Sequence, residues 1–190
     1  PQAVKRLEAN ILTLDYCDLI LSGRTEKNLY FYAAQKKAFK AHGFDRNPWD
    51  SSVQFQDNLI ARNHFPPQSG FRAEFHFTVL PGVDLSSLKL AVERPSIFKV
   101  QVNGQMLKPE ASSWWLDQAL AVYPLSQAAR TGANTITLMA KPFDLLAELE
   151  PVYVLGDFCL EEARQGFILT PARALQPGSW RKQGLPFYGH

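Results

Sequence analysis

Three acidic residues are the first candidates for chemistry in this sequence. Glu148 and Glu150 stand two positions apart, so they would share one face of an extended segment, and Asp117 follows a pair of tryptophans. A glycosidase needs two carboxyl groups flanking the bond that it cleaves. Residues two apart on any strand satisfy the same spacing, so an exposed or hydrogen-bonded strand end is the alternative interpretation. The pattern allows a glycosidase pair without predicting one.

Specific catalytic motifs are absent from the sequence. It contains no G-x-S-x-G nucleophile turn, no phosphate-binding loop, no G-x-G-x-x-G and no H-E-x-x-H. Its four histidines are scattered, and no two have the helical spacing that would let them hold a metal together. We therefore predict no catalytic residue in this chain.

Aromatic residues beside polar ones indicate carbohydrate binding. The apolar C–H face of a pyranose ring stacks on an indole, while neighbouring polar side chains hydrogen-bond its hydroxyl groups. Adjacent residues of a strand point to opposite faces, so at most one of Trp114 and Trp115 is expected in the core. Core packing is the competing role for each tryptophan. The predicted carbohydrate-binding residues are Trp49, Trp114, Trp115 and Asp117.

Oxygen-bearing side chains cluster between residues 45 and 50. Asp45, Asn47 and Asp50 offer the hard oxygen ligands that calcium prefers, but the segment lacks the glycine and distal glutamate of a helix-loop-helix calcium site. A hydrogen-bonded turn is the alternative. A structural calcium ion at these three residues is a hypothesis, and we predict no other cofactor.

Length and charge narrow the class of protein. With 190 residues and 46% hydrophobic content, the chain can bury one core, so we expect a single domain. The formal charge of +2 gives no reason to expect a nucleic-acid or membrane partner.

Cys17 and Cys159 lie far apart without metal-binding spacing, which favours free, half-buried thiols over a disulfide. The amino-terminal residues are charged rather than signal-like, and the compartment is left open.

From residue 71 onward, short alternating apolar and polar runs are separated by turn signals. This pattern predicts a mainly β fold, an antiparallel β-sandwich with one or two short helices. Asn103 and Gly104 predict a tight hairpin turn. The predicted strands are 71–79, 88–93, 98–102, 105–107, 119–125, 135–140, 152–158 and 167–170.

The first seventy residues give a weaker pattern. We predict strands at 10–14 and 18–21 and a short helix at 33–41, whose three lysines form a solvated face. The segment 43–67 is long and irregular around one candidate strand at 53–60. Long loops on rigid sandwiches often carry function, so the loop around Trp49 is kept as a candidate.

Several short pieces of the last hundred residues resemble a known family. They are AVER at 91–94, VQVNG at 100–104, WLD at 115–117, GANTI at 132–136, EPVYVLGDF at 150–158 and QGLPFYG at 183–189. Together they resemble the galactose-binding-like jelly-roll module of large bacterial glycoside hydrolases, especially the carboxyl-terminal region of α-L-rhamnosidase-like enzymes. The LGDF and GLPFY pieces are the most specific to that family.

The resemblance implies a jelly-roll topology and an accessory role, because the catalytic acids of such enzymes lie in a separate domain. We therefore expect residues 1–190 to be one module excised from a larger chain, with core strands within 71–190 and a final strand after His190. The parent enzyme could be secreted or periplasmic. Its catalytic domain is the expected partner for packing, and a saccharide is the second expected partner, with packing slightly preferred. A glycosidase with its own acid–base pair and a protein-interaction domain stay open as alternatives.

Overall fold

Two β-sheets share one hydrophobic core in the computed structural model, which describes residues 4–50 and 56–187. The strands are β1 (Asn10–Leu14), β2 (Tyr16–Leu21), β3 (Arg24–Tyr30), β4 (Phe71–Val79), β5 (Lys89–Glu93), β6 (Lys99–Val102), β7 (Gln105–Met106), β8 (Trp114–Trp115), β9 (Asp117–Pro124), β10 (Gly132–Ala140), β11 (Val152–Gly156), β12 (Phe158–Glu162) and β13 (Phe167–Pro171). The helices are α1 (Phe31–Ala41) and α2 (Gln56–Ile60), and short 3-10 turns lie at Pro48–Asp50, Leu85–Ser87 and Arg181–Gln183.

The first sheet has five strands in the order β1-β11-β5-β9-β8. The second has eight: six follow the order β12-β13-β4-β10-β6-β7, and β2 joins β4 while carrying β3 on its other side. All pairings are antiparallel among the described residues except one parallel contact between β13 and β4. The predicted mainly β sandwich with two short helices is confirmed.

Alternation along β4 shows why these residues form a sandwich strand. Phe71, Ala73, Phe75, Phe77 and Val79 are all buried, and the residues between them are exposed or half-buried. Burying a large apolar side chain stabilises the fold by about 1.5–3 kcal/mol, so one face of β4 is fixed towards the core. A shift of one residue in register would turn every one of these side chains to solvent.

The chain changes sheets between β11 and β12. We predicted one strand over 152–158, but β11 ends at Gly156 and β12 begins at Phe158 in the other sheet. A Cβ at Gly156 would lie 2.8 Å from Leu88 Cδ2 and 3.2 Å from the Ser87 carbonyl oxygen. At Gly156, where the chain passes from one sheet to the other, there is therefore no space for a side chain.

The candidate strand at 53–60 is wrong where the structure describes it. Residues 53–55 lie outside the described residues, while Gln56–Ile60 form α2, with Asp57 in its first turn. The Ala61 N–H donates to the Asp57 carbonyl at 2.9 Å, the four-residue spacing of an α-helical turn. The charged strand β3 was not predicted from the sequence.

Helix α1 confirms the prediction for 33–41 and begins two residues earlier. Ala34, Ala38 and Phe39 are buried on one side, and the amide oxygen of the buried Gln35 accepts a hydrogen bond of 2.7 Å from the backbone of Leu149. No helix among the described residues has the length and apolar character needed to cross a membrane.

His42 joins the end of α1 to the start of β4. The Gly70 N–H donates to His42 Nε2 at 2.9 Å, so the ring proton lies on Nδ1, which donates to the Ala38 carbonyl at 2.7 Å. The ring stacks on Phe143 with centroids 3.9 Å apart. Burial lowers the pKa of His42 below its usual value, so the neutral ring is the folded form.

Both cysteines are free thiols, as predicted, and both are fully buried rather than half-buried. Burial, with the nearby Asp18 carboxylate, raises the pKa of Cys17 to about 12. The thiolate of Cys17 is therefore strongly disfavoured in the folded chain.

We predict that His42→Ala lowers the free energy of unfolding by about 2 kcal/mol at pH 7.5, because it removes two hydrogen bonds and a buried stack. Urea denaturation measures the change, and His64→Ala, at an exposed histidine, is the control. Since the folded pKa lies below the unfolded one, the stabilisation by neutral His42 is complete above about pH 6.5 and declines at lower pH. A difference that persists unchanged at pH 4.5 would contradict this account.

Candidate functional site

Aromatic and charged side chains meet on the outer face of the five-stranded sheet. Tyr153 of β11 lies directly opposite Ala91 of β5, and Glu93 follows on the same face two residues later. The other residues of β5 that alternate with them belong to the core. The Trp115 ring lies 4.9 Å from the Tyr153 ring, centroid to centroid, at an interplanar angle of 51°. We call the following group the aromatic–acid site: Glu93, Arg94, Trp115, Glu148, Glu150 and Tyr153.

Arg94 holds two acidic residues of the site. Its backbone is left-handed, with φ of 52°, and its N–H donates to the Ala119 carbonyl at 3.0 Å. The guanidinium Nη2 lies 2.6 Å from Glu148 Oε2, and Nε lies 3.6 Å from Glu93 Oε1. A left-handed conformation is uncommon for a residue other than glycine, and here it ends β5 where the side chain reaches both carboxylates.

A second group of hydrogen bonds connects Glu148 to the 3-10 turn at Pro48–Asp50. Asn47 Nδ2 donates to Glu148 Oε1 at 2.9 Å and to Asp50 Oδ1 at 3.2 Å. The Tyr32 hydroxyl donates to Asp50 Oδ2 at 3.0 Å. Both oxygens of Glu148 thus have a partner, and its carboxylate is held in one position.

Glu150 is in a different environment from Glu148. Burial, and then the nearby charges of Glu93 and Glu148, raise its pKa to about 7, although Arg94 opposes the shift. Near neutral pH Glu150 therefore exists in both protonation states and can donate or accept a hydrogen bond. The pKa of Tyr153 is also raised, by burial and then by Glu150 and Glu93.

The predicted carbohydrate-binding residues have different positions. Trp115 belongs to the aromatic–acid site, while Trp114 is 53% exposed on the same hairpin. Asp117 Oδ1 accepts a hydrogen bond of 2.7 Å from the Ala119 N–H and so closes a turn. Trp49 packs against the core, and its indole N–H donates to the Leu145 carbonyl at 2.7 Å. The structure therefore brings Trp115 to the site and gives Trp49 a packing contact.

The predicted calcium ligands form a hydrogen-bonded turn. Asn47 Oδ1 accepts from the Trp49 N–H at 3.0 Å, and Asn47 Nδ2 donates to Asp50, so these two residues contact each other. Asp45 is exposed and takes no part in these contacts. Calcium binding by Asp45, Asn47 and Asp50 stays a prediction to which the contacts of the described residues add no support.

Three residues of the site were not singled out from the sequence. Glu93 ends one strand, Arg94 directly follows it, and Tyr153 lies on a strand about sixty positions later. Their proximity depends on β5 and β11 being neighbours, which alternation within one strand does not reveal. Glu148 and Glu150 were singled out as a carboxyl pair, and the structure places both in the site.

Comparison with known proteins adds no family to this description. A scan against protein families found no match, and a search among curated proteins found none either.

We predict that Glu150→Gln changes how stability depends on pH. The folded pKa of about 7 exceeds the usual 4.5, so the folded chain holds an extra proton between these values and its stability falls as pH rises. The free energy of unfolding of Glu150→Gln, measured relative to that of the unmodified chain, should rise by about 1–2 kcal/mol from pH 5 to pH 8. This is less than the full pKa shift implies, because the carboxyl is partly open to water. Urea denaturation at the two pH values gives this difference.

Glu161→Gln is the matched control, because Glu161 is exposed on the surface. Its stability should follow that of the unmodified chain at both pH values. Equal changes with pH in the two variants would show that Glu150 does not titrate in this range.

Proposed function

We propose that this chain is a non-catalytic accessory module of a bacterial glycoside hydrolase, with jelly-roll topology, and that it binds a saccharide at the aromatic–acid site. The observation that carries the proposal is the Trp115–Tyr153 pair lying beside charged hydrogen-bonding groups on the outer face of a sheet. The resemblance of the last hundred residues to such modules supports the choice of parent enzyme.

The two rings offer the apolar surface that saccharide recognition requires. Trp115 and Tyr153 are half-buried and in mutual contact, so little side-chain freedom remains to be lost when a sugar stacks on them. The Arg94 guanidinium and the carboxyl of Glu150 supply donors and acceptors for hydroxyl groups. Both sides of a pyranose, apolar and polar, therefore have matching groups in one site.

The β8–β9 hairpin supports the second part of the expected role, packing against a catalytic domain. Trp114 is 53% exposed, and Leu116 is 75% exposed with φ of 62°. Large apolar side chains grouped at an exposed tip are typical of contact surfaces. In this proposal the hairpin presents Trp115 to the sugar and Trp114 with Leu116 to the partner domain.

We predict that the chain binds a neutral mono- or disaccharide with a dissociation constant in the millimolar range or tighter. Calorimetric titration with galactose, rhamnose, glucose and their disaccharides measures it, beside a glycan array. Trp115→Ala should weaken binding at least tenfold, a loss of about 1.4 kcal/mol, because it removes one of the two rings on which the sugar stacks.

Two further variants separate binding from packing. Trp114→Ala should leave saccharide affinity within twofold, and Trp49→Ala should lower thermal stability without a specific loss of affinity, since its indole is bonded to Leu145. If none of these sugars binds at 10 mM, the saccharide role is wrong and domain packing is left as the accessory role.

A second candidate function, glycoside hydrolysis by this chain itself, is favoured by the unequal environments of Glu148 and Glu150. Glu150 has a pKa raised to about 7, as a general acid needs, while Glu148 is paired with Arg94. In this alternative Glu150 would protonate the departing oxygen and Glu148 would act as the carboxylate on the other side of the bond.

Hydrolysis of nitrophenyl glycosides by the isolated chain tests the alternative. Activity with a pH optimum below 7, lost at least a hundredfold in Glu150→Gln and kept in Glu161→Gln, would support catalysis. Complete inactivity of the unmodified chain towards a panel of α- and β-linked substrates would contradict it and favour the accessory role.

A further inference from the structure

Acidic groups outnumber basic ones in the aromatic–acid site. Its three carboxyl groups are those of Glu93, Glu148 and Glu150, and Asp50 lies close enough for its charge to act on Glu150. Arg94 supplies one positive charge, with Nη2 2.6 Å from Glu148 Oε2 and Nε 3.6 Å from Glu93 Oε1. No other basic side chain of the described residues pairs with these three acids. The site therefore has an excess of negative charge.

Hydrogen-bond donors are also scarce in the site. Glu148 has a partner for each oxygen, but the contact of Glu93 with Arg94, at 3.6 Å, is longer than a hydrogen bond. Glu150 is half-buried, and no described residue donates a hydrogen bond to its carboxyl group. Carboxyl groups withdrawn from water are normally hydrogen-bonded. Glu93 and Glu150 therefore offer acceptors that the chain itself leaves unused.

The two aromatic rings favour the same sign of charge as the acids do. Burial, followed by the charges of Glu150 and Glu93, raises the pKa of Tyr153, so both carboxyl groups lie near its ring. The Trp115 ring lies 4.9 Å from the Tyr153 ring, centroid to centroid. The face of an aromatic ring attracts a cation within about 6 Å of its centroid, and indole does so most strongly. Rings and carboxyl groups thus attract positive charge to one place.

The excess of acceptors distinguishes between classes of saccharide. A sugar hydroxyl both donates and accepts hydrogen bonds, whereas an ammonium group has three donors, no acceptor and a positive charge. It can donate to Glu93 and Glu150 together and neutralise part of their charge. A sugar that carries a carboxylate or a phosphate would be repelled by the same acids.

We propose that the aromatic–acid site selects amino sugars, whose ammonium group donates to Glu93 and Glu150 while the sugar ring stacks on Trp115. This inference rests on the saccharide binding proposed above and names the class of sugar. Arg94 stays paired with Glu148 in the complex, and the carboxyl groups of Glu93 and Glu150 bind the ligand. Neutral sugars bind at the same rings, but more weakly.

Calorimetric titration at pH 6.5 with two matched pairs of sugars tests the proposal. The pairs are galactosamine with galactose and glucosamine with glucose, and the members of each pair differ only in an ammonium group or a hydroxyl at one carbon. In at least one pair the amino sugar should bind at least tenfold more tightly than its neutral partner. Raising NaCl to about 0.5 M should weaken binding of the amino sugar at least threefold and leave that of the neutral sugar within twofold, because salt screens the charges.

Variants separate the acids from the rings in the same titration. Glu93→Gln and Glu150→Gln should each reduce the preference for the amino sugar at least threefold, since each keeps the shape of the side chain and removes a charge. Glu161→Gln, at an exposed residue outside the site, should leave the preference unchanged. Trp115→Ala should weaken both members of a pair by the same factor or more for the amino sugar.

Three results would overturn the inference, and they differ in what they imply for the proposed function. Equal affinity for both members of each pair would remove the selection of amino sugars and leave saccharide binding intact. Binding of ethanolamine as tight as that of the amino sugar would show a cation site without preference for a sugar. No binding of any of the four sugars would overturn saccharide binding itself and this inference with it.

Discussion

The pairing of β4 with β10 along nine residues organises the larger sheet, and the burial of one face of β4 fixes that sheet against the smaller one. Every other strand of the eight-stranded sheet reaches this pair directly or through one neighbour. Because β-pairing fixes side-chain direction as well as position, the register of β4 determines which groups face the core and which face solvent. His76 is on the solvent side for this reason.

The aromatic–acid site depends on a similar constraint in the smaller sheet. β5 is a central strand there, and β11 and β9 lie on its two sides. Glu93 ends β5, Arg94 follows it, and Tyr153 lies on β11, so pairing between these strands brings the residues together. Glu148, on the loop before β11, pairs with Arg94 and accepts a hydrogen bond from Asn47 of a second loop. Strand pairing thus places Glu93 and Tyr153, and contacts between loops hold Glu148.

Much of the fold was predictable from the sequence because apolar alternation is strong in the buried strands. In β4 every second residue is apolar, β10 alternates in the same way from Ile136 to Ala140, and the helical segment α1 lacks residues that break helices. Strand β3 was missed because its residues, Arg24–Tyr30, are mostly charged or polar and pair only with β2 at an edge. The site was predictable only in part. Trp115 was found by residue type, but Arg94 and Tyr153 come together through the order of strands, which no local pattern specifies.

The crossing at Gly156 has a mechanical consequence. Within six residues the chain passes from Tyr153, whose ring contacts Trp115, to Phe158 at the start of β12, which pairs with β13 in the other sheet. With Leu88 Cδ2 and the Ser87 carbonyl close to Gly156, this connection has little free volume in which to bend. A displacement of the β12–β13 hairpin would therefore also displace β11, in the opposite sheet, because the short connection between them has no room to bend.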